Sequence, residues 1–228
     1  MSSELPPTKR DSEVIQILAT EHWSLLATRA LTYQESLGRV NMFLAILSGA
    51  VIALALVAQA AHFGPAFISI AIFMLAVVAV VGIFTVSRLM TLNRDDFHWV
   101  MAMNRIRNAY LRLHPELEPN FFSSPNDDVI GVMRSMGIEP TGPASQIGSL
   151  VHGLSTLPGM MSVIVAAVAG AIAGLVAAGF GAAPLAVVLL GVAGFVIALV
   201  ALVLWQRSHI RRSSGYGPNF PTPRAPHS

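Results

Sequence analysis

The chain has 228 residues, 54% hydrophobic and 11% charged, with a net charge of +2 and no cysteine. The charged share is about half that of an average globular domain, which excludes an ordinary soluble fold, and mean hydropathy is +0.64. So small a net charge gives no basis for a nucleic-acid partner, and without cysteine there is no disulfide framework, thiol nucleophile or Cys-type zinc site.

The 14 basic and 12 acidic residues fall into three blocks, separated by charge-free stretches from Val40 to Ser87 and from Pro140 to Gln206. Each stretch is long enough to cross a bilayer twice, since one crossing takes about 20 apolar residues. The basic residues are Arg except for Lys9, and Ala, Val and Gly are abundant, a composition expected of a GC-rich bacterial genome.

In chain order, residues 1–12 are expected to be disordered. No signal peptide precedes the first apolar run, which would act as an uncleaved anchor. Over residues 13–39, Ile15, Leu18, Leu25, Leu26, Ala30, Tyr33 and Leu37 recur at helical spacing. They predict an amphipathic helix that either lies on the membrane or runs on into the first span. Residues 40–87 form a first transmembrane hairpin with spans 40–61 and 66–87, broken by His62-Phe63-Gly64-Pro65. Residues 88–158 form a helical segment. In it, Trp99, Met103, Ile106, Tyr110 and Leu113 step by 4, 3, 4 and 3, an apolar seam that packs on residues 13–39 or on a second subunit. Pro115 ends this helix, residues 116–126 are loop, and Ser124-Pro125 opens a short helix closed by Gly137. Residues 159–205 form a second hairpin with spans 159–180 and 185–205, and residues 206–228 a disordered, Pro/Gly-rich tail. The turns share Phe-Gly and a following Pro, which reads either as a weak internal repeat or as the likeness of any two short turns.

The fold class is therefore an all-α integral membrane protein with four transmembrane helices in two hairpins. Core helices of a soluble protein usually carry a polar stripe, and these runs carry none. Lys9, Arg10, Arg29 and Arg39 precede span one, six arginines lie between spans two and three, and Arg207, Arg211, Arg212 and Arg224 follow span four. Both short turns lack them, so both termini and the central segment are expected in the cytoplasm of a multi-pass plasma (inner) membrane protein.

Small residues mark helix-packing faces: Ala45 and Gly49 in span one, Ala166, Gly170 and Gly174 in span three, and Gly194 in span four. Trp205 with Arg207, Arg211 and Arg212 suits lipid-headgroup anchoring. No ionisable residue lies inside a span, which weakens proton coupling. Asp95 with His98, and Asp127-Asp128, are carboxylates outside any recognised metal spacing, so no cofactor or metal is expected. No phosphate loop, nucleophile elbow or zinc-protease motif is present.

Residues 13–113, with Ala27-Thr28-Arg29-Ala30 to Tyr33 and Trp99 to Tyr110 in comparable places, resemble the layout of bacterial two-transmembrane SLATT-type effector domains. The second hairpin departs from that layout. The resemblance implies pore formation or membrane perturbation on a cytoplasmic signal. Three readings result. The first is a non-enzymatic membrane protein that forms a homo-oligomer or binds a cytoplasmic protein through the Trp99–Leu113 seam. The second is an oligomeric channel or effector pore. The third is a membrane-interface enzyme using Asp95, Asp96 and His98.

Overall fold

The computed structural model describes residues 9–138, 156–211 and 217–223. Its elements are α1 (Lys9–Ala61), α2 (Pro65–Leu113), a short 3-10 helix (Pro115–Asn120), α3 (Val129–Ser135), α4 (Leu157–Gly179) and α5 (Pro184–Arg211), with no strand among the described residues. Helices α1, α2, α4 and α5 are each long and apolar enough to cross a membrane.

The first two are longer than their apolar runs. The amphipathic segment 13–39 and the run 40–61 are one helix, as are the run 66–87 and the segment that follows it. Nothing in either sequence forces a break. Gly38 stays helical, at a cost of about 1 kcal/mol relative to Ala, and no Pro interrupts either helix after its first residue. Between α1 and α2 the left-handed conformation falls on His62 (φ 47°) and Phe63 (φ 56°), with Gly64 outside it. Such residues cost roughly 1–2 kcal/mol each, and an edge-on contact of Phe63 with Phe67 at 5.2 Å accompanies the turn. The α4 terminus is conventional. Gly181 (φ 73°) donates to the Ala178 carbonyl and Ala182 to that of Ala177.

The chain divides into two compact units, one comprising Met1–Tyr33, Asn93–Pro143 and Ser214–Ser228, the other Gln34–Leu92 and Ala144–Ser213. The division follows charge. Only Glu35, Arg39, Arg88, Arg207, Arg211 and Arg212 among the charged residues fall in the second unit.

The second unit packs Phe43, Leu47, Ala50 and Leu54 of α1 against Leu75, Val78, Val86 and Leu89 of α2, Met161, Val165 and Val168 of α4, and Leu202 of α5. Close approach depends on missing Cβ atoms. A Cβ on Gly170 would lie 2.7 Å from the Gly191 carbonyl oxygen, and one on Gly194 2.7 Å from the Ala173 Cβ. Gly174 sits in ordinary contact with Val187, and Ala166 is fully buried. Gly82 on α2 faces Val165 and Phe43, where a Cβ would lie 2.6 Å and 3.0 Å from their side chains. The span-one small residues do not pack within the chain. Ala45 and Gly49 lie on the exposed side of α1, with nothing within 4 Å of a Cβ at Gly49, because bulky Phe43 and Leu47 take the inner face.

Polar groups here are paired. Arg88 grips Glu35 with two hydrogen bonds (3.0 and 3.1 Å), and Arg39 adds a third at 2.9 Å. Bonds from Arg88 and then Arg39 hold the Glu35 carboxyl below the usual range. Gln206 donates to the buried Ser162 hydroxyl at 2.6 Å, and Ser162 donates to the Pro158 carbonyl. Overpacking typically costs about 1–3 kcal/mol, so Gly170→Leu and Gly82→Leu should lower the melting temperature in detergent, whereas Gly49→Leu should leave it unchanged.

Candidate functional site

The first unit is built on the amphipathic part of α2. Its seam is not an open surface. Met103 and Ile106 are buried with Leu25 of α1, flanked by Leu18, Trp99, Ala102 and Tyr110, and Leu113 is half-buried. Arg29 of α1 adds a two-bond ion pair to Asp96 of α2, at 2.6 and 3.3 Å. Of the two partners considered for the seam, residues 13–39 or a second subunit, the chain uses its own helix. Substituting Ile106 would therefore test folding before assembly.

The opposite side of α2 carries a polar site. Val100 and Met101 are buried with Val132 of α3, which sets α3 against the helix. Fully buried Asn104 donates to the Asn126 carbonyl at 2.7 Å and accepts from Ser135 at 2.9 Å and Arg107 at 2.5 Å. Gly131 lies so close to the Asn126 backbone that a Cβ would collide with its carbonyl. Asp128 caps α3, accepting from the Gly131 N–H at 2.8 Å. The cap expected at Ser124 thus falls four residues later, and Ser124 instead accepts from the Asn126 N–H.

These contacts present Asn126, Asp127 and Asp128 to residues 217–223, which the sequence places in a disordered tail. The structure corrects that expectation for this segment. Its prolines at 218, 221 and 223 leave amide hydrogens on Asn219, Phe220 and Thr222 alone among residues 218–223. Asp127 accepts from Asn219 at 2.8 Å and from Phe220 at 2.7 Å. Asp128 accepts the Thr222 N–H at 3.0 Å and its hydroxyl at 2.8 Å. In return, the Phe220 carbonyl accepts from the Asp127 N–H at 3.2 Å and from the Asn126 side chain at 3.3 Å. Asn126 also reaches the Pro221 carbonyl. Arg105 joins the two sides, donating to Asp127 at 2.7 Å and to the Gly217 carbonyl at 3.1 Å. The Arg112 guanidinium lies 4.5 Å above the Phe220 ring. Proline had suggested disorder because it cannot join a helix, but the extended form it favours suits a segment bound by its backbone.

Asp127 is fully buried. Burial raises its carboxyl pKa, but the Asn219 N–H, the Arg105 side chain and the Phe220 N–H together outweigh that and hold it below the ordinary value. For Asp128, burial likewise raises the pKa, and the Gly131 and Thr222 donors outweigh it.

The other expected residues are dispersed. Asp95 lies 3.9 Å from Arg94, His98 makes a ring contact with Phe97, and Asp96 is held by Arg29. Among the described residues no group of three metal-ligating side chains forms. Trp205 packs against the second unit's core and Arg207 is exposed, while the Arg211 side chain and Arg212 lie outside the described residues. Comparison of the chain with protein-family models, with curated proteins and with solved structures finds no match.

Breaking a buried ion pair by removing one partner typically costs about 3–5 kcal/mol. Asp127→Asn should therefore release residues 217–223, measured as faster amide hydrogen exchange at Phe220 and Thr222. The Asp127 and Asp128 carboxyls titrate below their ordinary value, in part through the donors of Asn219, Phe220 and Thr222 that docking brings. Docking should thus be at full strength above their ordinary pKa of about 4, and be lost as pH falls through the depressed values. The same exchange measurement, repeated down a pH series, checks that sign. Gly131→Ala should displace the Asn126 carbonyl and raise the same exchange rates with little change in overall helicity.

Proposed function

We propose that this chain is a multi-pass plasma-membrane protein without enzymatic activity of its own, which assembles or recruits a protein partner through its cytoplasmic helices. Four apolar helices support the membrane reading, together with the outward side chains they carry. The most apolar window of α5 is only 6% buried, and Phe73, Phe84 and Ile197 are each more than two-thirds exposed. Water would penalise such a surface and lipid would not. The two short turns lack Lys and Arg while the other connections are rich in Arg, which supports two hairpins with both termini in the cytoplasm. Reporter fusions at residues 62, 140 and 182 test this. The expected result is a cytoplasmic signal at 140 only, and a cytoplasmic signal at 62 or 182 would overturn the topology.

The observation that carries the partner reading is a face of α1. With the α2 seam covered, Trp23 (69% exposed), Leu26 (38%), Ala30 and Tyr33 (62%) remain outside, stepping by 3, 4 and 3. That spacing suits packing against another helix. Trp23→Glu with Tyr33→Glu should reduce the assembled or partner-bound fraction in mild detergent while helicity is retained. Unchanged assembly and partner binding would refute the reading.

A second reading, an oligomeric channel or effector pore, is favoured by the exposed Ala45–Gly49 row of α1, which offers close backbone approach to another copy. Flux through liposomes holding the purified chain tests it, and no conductance would exclude it.

A further inference from the structure

The contacts around Asp127 have the form of a receptor and a ligand. Loop, helix cap and α2 form a surface held by its own bonds: Asn104 to Asn126, Ser135 to Asn104, and Gly131 to Asp128. The segment that occupies it lies about ninety residues away in sequence and meets it mainly through backbone groups. Every amide hydrogen of residues 218–223 is accepted by one of the two carboxylates. The Gly217, Phe220 and Pro221 carbonyls are met by Arg105 and Asn126. Two side chains of the segment are met as well, the Phe220 ring under Arg112 and the Thr222 hydroxyl on Asp128. A proline at 219, 220 or 222 would remove a required donor, whereas the prolines at 218, 221 and 223 remove none that is used. They also narrow the conformations the undocked segment can take, which lowers the entropy lost on docking.

We propose that the surface formed by Arg105, Arg112, Asn126, Asp127 and Asp128 is a peptide-recognition site for extended, proline-interrupted segments of the form Asn-Phe-Pro-Thr. The chain's own residues 217–223 are its resident ligand, and a partner segment with the same donor pattern competes for it. The site lies apart from the α1 face, so it stands or falls separately from the assembly proposed above.

A ligand tethered in cis acts at an effective concentration of up to about millimolar, so it masks the site from a peptide in solution. The test uses the full-length chain in detergent and a fluorescently labelled heptapeptide of residues 217–223, Gly-Pro-Asn-Phe-Pro-Thr-Pro. The variant Phe220→Ala with Thr222→Val weakens the resident segment without touching the receptor residues. Its helicity by circular dichroism should equal that of the wild-type chain. The variant should bind the heptapeptide saturably, and at least about tenfold more tightly than the wild-type chain does, because the competing segment is weakened. A heptapeptide with Thr222→Pro, which lacks the amide hydrogen that Asp128 accepts, should not bind the variant. Since that control alters only the peptide, it does not depend on how any receptor variant folds. Equal binding by wild type and variant, no saturable binding to the variant, or equal binding of both peptides would each overturn the proposal.

Discussion

A charge removed from water has to be paired or left at an edge, and the rest of this structure is arranged around that constraint. The chain keeps its long apolar runs free of charge and gathers charged side chains in the segments outside them. Several of the groups that leave bulk solvent do so as matched pairs. Glu35 takes both Arg88 and Arg39, Asp96 takes Arg29, and the fully buried Asp127 takes Arg105 together with two backbone amides. Each arginine offers a planar fork with several donors, so one side chain can meet a carboxylate and still reach a second acceptor, as Arg105 does at Gly217.

With charge excluded, the apolar helices of the second unit meet by shape. Gly82, Gly170, Gly191 and Gly194 supply the places where one helix approaches another, and in each the neighbour occupies space that a Cβ would need. The first unit has an ordinary apolar seam between α1 and α2, together with a polar surface made of buried amide and carboxylate groups. A polar surface of this kind discriminates strongly, because each unmet donor or acceptor carries a penalty of about 1–3 kcal/mol. Residues 217–223 meet it along their length, which makes this segment a specific occupant and not an incidental contact.

Much of the fold was legible in the residues because it rests on local properties. Apolar run length marked the helices that became α1, α2, α4 and α5, and the seam spacing marked the inner face of α2. Of the glycines in the small-residue rows, Gly170 and Gly194 lie where a neighbour occupies the space a Cβ would need. The same signal left open which way Ala45 and Gly49 face, since spacing marks a face without saying which one turns inward, and Phe43 and Leu47 take the inner face. Gly82 and Gly191 gave no signal, because a lone glycine among apolar residues looks the same whether or not a helix crosses it.

The docking of residues 217–223 was the part least open to reading from the chain. Composition marked the segment as disordered, and spacing placed Asp127-Asp128 outside any metal motif. Both follow from local rules, and Asp128 serves as a helix cap. What changes their meaning is a pairing across some ninety residues. Hydropathy, charge and helical period are properties of neighbours along the chain, so helix positions and charge boundaries could be read directly. A hydrogen-bond partner is a property of neighbours in space, and the fold alone brings two carboxylates to the three amide hydrogens that the prolines leave.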